Sequence, residues 1–294
     1  MADRELSGAP SMLPLFGRAG LSMIPGASRL PWVGGGGGQV PEQALTLSDA
    51  AVDRERLTAY DRVCGFSVGD VLPPTYPHML AFPLHLMLMT DGGFPLPAMG
   101  LIHIANRIVV HRPLGAGERL SLRVWATPIV PHPRGRQFMI RTEARVGDEL
   151  VWEEASTNLK RGSGAGDPGF EAAGPPSTEG LPATATWRLP GDLGRRYGSV
   201  SGDLNPIHVH PLSARLFGFP SAIAHGMWTK ARCLAALQNQ LPPAYSVEVA
   251  FKRPILLPAT VSFAEARSGE AISFGVRDAR RDTPHLDGEV RTGT

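Results

Sequence analysis

AHGMWTKARCLAALQNQLPPAYSVEVAF, residues 224–251, carries two periodicities back to back. Met227, Ala231, Leu234, Leu237 and Leu241 recur at steps of three and four, the apolar face of a helix of about four turns. Pro242-Pro243 stops it. Val247, Val249 and Phe251 then alternate, as do Val261 with Phe263, and Ile272 and Phe274 with Val276. Period two over short runs predicts half-buried antiparallel strands. One apolar helix followed by several strands is an α+β arrangement.

The same order occurs earlier in the chain. Phe82-Pro83-Leu84-His85-Leu86-Met87 precedes Val109-Val110-His111-Arg112-Pro113-Leu114, as Phe219-Pro220 and Ala224-His225-Gly226-Met227 precede Ala250-Phe251-Lys252-Arg253-Pro254-Ile255. Leu120-Ser121-Leu122 faces Val261-Ser262-Phe263; His85 and His225 differ by 140 positions, and Arg112 and Arg253, like Leu120 and Val261, by 141. Self-similarity at a fixed spacing points to an internal duplication. In the first copy Leu120, Leu122 and Val124 alternate, and so do Ala155, Thr157 and Leu159. The expected organisation is a flexible segment over 1–42, a first half over 43–160, a linker over 161–183 and a second half over 184–294. Gly34–Gly38 lacks the Lys-Ser/Thr that a phosphate loop needs, so it reads as a flexible connector.

Composition narrows the function. Of 294 residues, 43% are hydrophobic and 19% charged, which suits a packed globular chain and not a disordered one. The formal net charge of +2 provides no field for a polyanion, so nucleic acid is not expected as a partner. No apolar run is long enough to span a bilayer. Met-Ala-Asp-Arg-Glu has neither the basic start nor the apolar stretch of a signal peptide. The only cysteines, Cys64 and Cys233, lie in apolar surroundings and fit a reduced, cytoplasmic setting.

The chemistry concentrates in Tyr197-Gly198-Ser199-Val200-Ser201-Gly202-Asp203-Leu204-Asn205-Pro206-Ile207-His208. Gly202 permits a sharp backbone path, and Pro206 keeps Asn205 out of the α region. The turn can hold Asp203 and His208 against one small volume, with Asn205 orienting them. A carboxylate beside an imidazole suits proton relay to a water molecule. Gly226 falls at the expected helix start, where amides lack helical partners and the dipole is positive. Such an amide can hold a carbonyl oxygen that becomes an enolate. Each part also has a plainer reading: an Asx turn, a packed histidine, a glycine for close helix packing. His208, His210 and His225 show no helical His-x-x-x-His pair and no CxxC, so no metal is assigned. Ser201 lacks the setting of a hydrolase nucleophile.

Tyr197 through His208, with Ser213-Ala214 and Ala224-His225-Gly226-Met227, resembles the hydratase 2 motif of the MaoC-like dehydratases, the (R)-specific enoyl-thioester hydratases. Over about residues 45–290 the chain is similar to the two-domain actinobacterial members of that family. The resemblance implies a double hot-dog fold and a reversible hydration of trans-2-enoyl thioesters to (R)-3-hydroxyacyl thioesters. It implies Asp203 and His208 as catalytic dyad, Asn205 as their support and Gly226 as oxyanion donor. Tyr197, Ser201 and His225 join the substrate-binding set, together with Lys252 and Arg253, which follow an apolar strand and suit phosphate contacts. No cofactor is expected beyond the thiol carrier of the substrate, coenzyme A or acyl carrier protein. The first half lacks the motif and has Leu86 where the second has Gly226. It is therefore expected to be non-catalytic and to line the acyl tunnel, with Met79, Met87, Met89, Phe94 and Met99 as candidate lining. A monomer or homodimer is expected. A hot-dog acyl-thioesterase and a non-catalytic acyl-thioester-binding protein stand as the alternatives.

Overall fold

The computed structural model describes residues 2–22, 34–162 and 174–292. The chain divides into two compact units: Met1–Ala51, His78–Ile104 and Arg119–Ala172 form the first, and Val52–Pro77, Ala105–Glu118 and Ala173–Thr294 the second. The units do not follow linear halves. The second takes residues 52–77, whose helix packs on helices beyond residue 190, and the boundary between units falls within one strand.

Its elements in chain order begin with β1 (Ala2–Leu6), α1 (Met12–Leu21), β2 (Gln43–Ala50), α2 (Arg54–Cys64) and α3 (Tyr76–Met89). Five strands follow: β3 (Leu101–Val110), β4 (Leu120–Ala126), β5 (Val130–His132), β6 (Gly135–Val146) and β7 (Glu149–Arg161). Next come β8 (Ala183–Leu189), α4 (Leu193–Ser201), α5 (Pro206–Val209), α6 (Pro211–Leu216) and α7 (Gly226–Leu237). The last four are β9 (Tyr245–Phe251), β10 (Ala259–Ser268), β11 (Ala271–Asp278) and β12 (Pro284–Thr292).

The duplication is visible in strand order. In the first unit the order is β1-β2-β4-β6-β7, with β1 parallel to β2 and the other pairings antiparallel. In the second it is β8-β10-β11-β12-β9, all antiparallel. The run β2-β4-β6-β7 thus has the same order as β8-β10-β11-β12. The arrangement is α+β as expected, but in each run the first strand, β2 or β8, comes before the long helix, α3 or α7, and only the other three strands follow it.

Two elements lie inside the stretch read as a flexible N-terminal segment. β1 extends the first sheet, held by residue-by-residue pairing from Ala2↔Gln43 to Leu6↔Leu47, and α1 buries Leu15 and Ala19. The glycine run is partly docked: the Gly35 amide donates to the Phe94 carbonyl at 2.8 Å. Residues 163–173 of the expected linker lie outside the described residues.

Helix α7 begins at Gly226 and passes into a 3-10 turn over Gln238–Gln240 before Pro242. Met227, Ala231, Leu234 and Leu237 are buried as the periodicity predicts. Lys230 is buried on the same helix, and its ammonium donates to Asn106 Oδ1 at 2.6 Å and to the carbonyls of Asn106 and Val247. Three oxygens from β3 and β9 thereby fix the helix one turn below its start.

The first unit departs from the expected pattern in two places. Helix α3 starts at Tyr76 and contains Pro83, so Leu86 lies in its interior and not at a helix start as Gly226 does. Along β7 the alternation shifts phase: Trp152, Glu154 and Ser156 are buried and Ala155 and Thr157 only part-buried, while Leu159 near the strand's end is buried as expected. The inward face is polar because α3 supplies partners for it: His78 Nδ1 lies 2.7 Å from Glu154 Oε1. Met79, Phe94 and Met99 are buried in this unit, and Met87 and Met89 part-buried.

Lys230→Ala removes the cation from three buried acceptors. Loss of charged hydrogen bonds and orphaned carbonyls is expected to cost about 3 kcal/mol of stability. Urea unfolding of the full chain measures it, and a variant of unchanged midpoint would show that α7 does not depend on this anchor.

Candidate active site

The second unit brings the motif together through three short helices. α4 ends at Gly202, whose φ of 82° lies in the left-handed region that a glycine tolerates best. The chain then turns on its own side chains. Asp203 N donates to Ser201 Oγ at 3.2 Å, and Asn205 N donates to Asp203 Oδ1 at 3.2 Å. Asn205 caps α5, its Oδ1 accepting from Ile207 N, and Pro206 occupies the first helical turn. His208 follows one turn later and is buried.

The position of the imidazole is fixed from across the unit. His208 Nδ1 lies 2.8 Å from the Ile223 carbonyl oxygen. A carbonyl only accepts, so Nδ1 carries the proton and Nε2 keeps the lone pair. The segment around Ile223 is itself pinned: Ile223 N donates to Ile207 O, Ala224 N to Ile255 O, and Leu257 N to Ala222 O, all within 2.8–3.0 Å.

His225 completes the cluster. Its ring stacks on His208 with centroids 3.7 Å apart and planes 25° apart. Its Nε2 donates to the Asp203 carbonyl at 2.9 Å and lies 3.7 Å from Asp203 Oδ2. Nδ1 of His225 is buried and has no hydrogen-bond partner among the described residues. One donor atom each from Asp203, His208 and His225 lies within 4.8 Å of the others. Burial pushes His225 down to about 3, with the His208 ring adding to it and Asp203 opposing it. Burial lowers His208 as well, against the opposing pull of Asp203 and the Ile223 carbonyl. Both rings are therefore neutral at pH 7. Asp203 keeps 25% of its side-chain surface exposed, which leaves a way in for water.

Helix α7 starts immediately after His225, and no side chain caps it. Its first-turn amides, that of Gly226 included, have no partner inside the helix. A Cβ at Gly226 would come 3.0 Å from the Phe251 ring, so glycine here lets β9 pack closely on the helix start.

The remaining members of the expected set divide. Tyr197 is buried on α4 with its ring 4.8 Å from that of His225. Ser201 is buried and engaged with the backbone of Asp203. Lys252 Nζ lies 3.5 Å from the buried carboxylate of Asp287, so part of its charge is already matched. The Arg253 side chain is exposed, while its carbonyl accepts from His285 Nδ1 at 3.0 Å.

Two glycines essential to this geometry escaped the sequence reading. A Cβ at Gly194 would fall 1.9 Å from the His208 carbonyl oxygen, and one at Gly198 would fall 2.8 Å from that of Asp203. Four residues apart on α4, they form a bare stripe against the backbone of His208 and Asp203. Their spacing in the sequence was the available signal. α4 is itself held by α2, where Arg56 Nε donates to the Val200 carbonyl at 2.7 Å.

Comparisons with known proteins agree with this fold. Residues 178–288 match the model of the MaoC-like domain. The chain is 36% identical over 255 residues to 3-hydroxyacyl-thioester dehydratase X of Mycobacterium tuberculosis, covering 86% of this chain and 90% of that relative. It is 27% identical to the peroxisomal enoyl-CoA hydratase 2 of Arabidopsis thaliana, with 64% of each chain covered. The crystal structure of HtdX from M. tuberculosis superposes with a TM-score of 0.76 at 34% identity, over 85% of this chain and all of that one. The fold is accordingly a double hot-dog.

Gly194→Ala and Gly198→Ala each press a methyl group into the backbone beneath the dyad. Each is expected to lose about 2 kcal/mol of stability by overpacking, and a neutral result in urea unfolding would mean that α4 does not bear on the turn. The neutral histidines give a second expectation. Their folded values lie below the ordinary 6.5, so the stability they contribute is present above 6.5 and is lost as pH falls below it, for His225 down to about 3. His225→Asn should shallow that loss by up to about 1.4 kcal/mol per pH unit. Equal pH slopes in the two proteins would show that His225 takes up its proton in the folded state.

Proposed function

The chain belongs to the MaoC-like dehydratase family, hydro-lyases of acyl thioesters, and from that premise we propose that it interconverts trans-2-enoyl and (R)-3-hydroxyacyl thioesters with Asp203 and His208. The observation that carries this reading is the convergence of the Asp203 carboxylate and the His208 ring within 4.8 Å of one another, directly before the start of α7.

That separation fits one water molecule held by both groups. In hydration the water oxygen bonds to C3 as a base takes one of its protons, and a proton is delivered to C2. In dehydration the C2 proton leaves first and the C3 hydroxyl departs as water. The His208 lone pair at Nε2 and the Asp203 carboxylate share these transfers, and microscopic reversibility exchanges their roles with direction. Negative charge collects on the thioester oxygen between the two steps. The Gly226 amide, at the positive end of α7, stabilises it without reorganising. His225 neutrality keeps a second positive charge away from the dyad, and its Nε2 bond to Asp203 O holds the turn.

Asn205 supports the turn as helix cap. Lys252, tethered towards Asp287, and Arg253 are left as contacts for a phosphate of coenzyme A or of the acyl carrier arm. The reaction as written uses no cofactor besides the carrier thiol. No helix among the described residues is long and apolar enough to cross a membrane. A monomer or homodimer in the cytoplasm is the setting this reading assumes.

Asp203→Asn and His208→Gln are each expected to lower kcat by about 10²–10⁴-fold while leaving the fold intact. Loss of enoyl absorbance across a range of trans-2-enoyl-CoA lengths measures this, with product stereochemistry determined on the same samples. Near-normal rates in both variants would sink the dyad. Release of free thiol in place of hydration would make the protein a thioesterase.

A further inference from the structure

The first unit holds a second buried cluster of imidazole and carboxylate groups that the proposed hydration does not use. His78 and His85 lie seven residues apart on α3, about two turns, and so project from one face. Glu154 comes from the inward face of β7. His78 Nδ1 is 2.7 Å from Glu154 Oε1, and His85 Nε2 is 3.9 Å from Glu154 Oε2. The Glu154 side chain is wholly buried, that of His85 is 3% exposed and that of His78 11%. One donor atom from each residue lies within 4.8 Å of the other two.

We propose that His78, His85 and Glu154 form a binding site for a first-row divalent transition metal of the zinc type. The donor set selects that class. Two imidazoles and one carboxylate are ligands for zinc, cobalt, nickel or ferrous ions, whereas magnesium and calcium take oxygen throughout. The ring geometry supports it. A histidine binds metal along a lone pair lying in its ring plane. The His78 and His85 rings meet at 80°, so their in-plane lone pairs can converge on one point. The stacked rings of His208 and His225 hold theirs in separate planes only 25° apart, which do not meet close to both rings.

In a tetrahedral site with bonds near 2.1 Å, donors lie about 3.4 Å apart, so the His78 contact must open by about 0.7 Å and a rotation of the carboxylate must bring one of its oxygens to that distance from both rings. Long side chains make such changes by small rotations. On binding, His78 Nδ1 exchanges its hydrogen bond with Glu154 for the metal, and the neutral ring carries its one proton on Nε2. His85 Nε2 then gives up its 2.8 Å hydrogen bond with Thr142 Oγ1. The exposed edge of His78 is the entry, and three protein ligands leave a coordination position for water.

The test is titration of the full-length, chelator-treated protein with Co²⁺, followed by its visible d–d absorption and by displacement with Zn²⁺. One equivalent is expected to bind. His78→Gln and Glu154→Gln should weaken binding at least ~10-fold, and His208→Gln should leave it unchanged. Broadening of His78 and His85 ring resonances by Co²⁺ in the unsubstituted chain reads the same site should a variant not fold. No saturable band in the folded chain would overturn the proposal, as would a band lost in His208→Gln and kept in His78→Gln, or broadening confined to His208 and His225. Hydration assays on the same samples report on Asp203 and His208 alone, so the two readings fail separately.

Discussion

The hydrogen bond from His208 Nδ1 to the Ile223 carbonyl carries more of the arrangement than its length suggests. It selects the tautomer, so Nε2 is the nitrogen left with a lone pair. It also ties the motif turn to the strand of backbone that leads into α7. That backbone is fastened at three points to residues 207, 255 and 257, so the acceptor cannot follow the ring if the ring moves. A side-chain acceptor in its place would bring rotamer freedom and a proton of its own. The chemistry of the site is set by a group with neither.

Around that bond the polar groups are satisfied locally, with few residues between partners. Asp203, Asn205 and Ser201 spend hydrogen bonds on the backbone within two residues of themselves. Such short loops lose little entropy on closure, so the turn is formed by its own composition. Its placement is another matter. α4 must lie within contact of His208 and Asp203, and only residues without a side chain permit that approach.

The two units show how far duplicated sheets can diverge in their helices. Strand order is kept, since each strand's pairing depends on its neighbours and one change disrupts the whole sheet. Helix starts are free to slide. In the second unit α7 begins at Gly226, whose amide has no partner inside the helix. In the first α3 begins at Tyr76, and the position aligned with Gly226 is an interior leucine. The first unit has put polar chemistry elsewhere, on the face of α3 that meets β7. Glu154 is tolerated in that interior because two imidazoles reach it, a compensation that buried carboxylates require.

Much of this was legible in the sequence because it rests on short-range order. The period of Met227–Leu237, the alternation of Val247 and Val249, the cap at Asn205 with Pro206 behind it, and the repeated strand segments are all written within a few residues of each other. They determined the α+β class, the duplication and the turn that brings Asp203 near His208. Tertiary structure decided what depends on distant partners. The phase of β7 could not be read from Ala155, Thr157 and Leu159, because His78 on another element decides that Glu154 turns inward. The stacking of His225 on His208, the seat provided by Gly194 and Gly198, and the pairing of Lys252 with Asp287 likewise join residues that periodicity never relates. Local sequence fixes which conformations a segment prefers; which of its faces is buried, and against what polar group, is settled only when the segments meet.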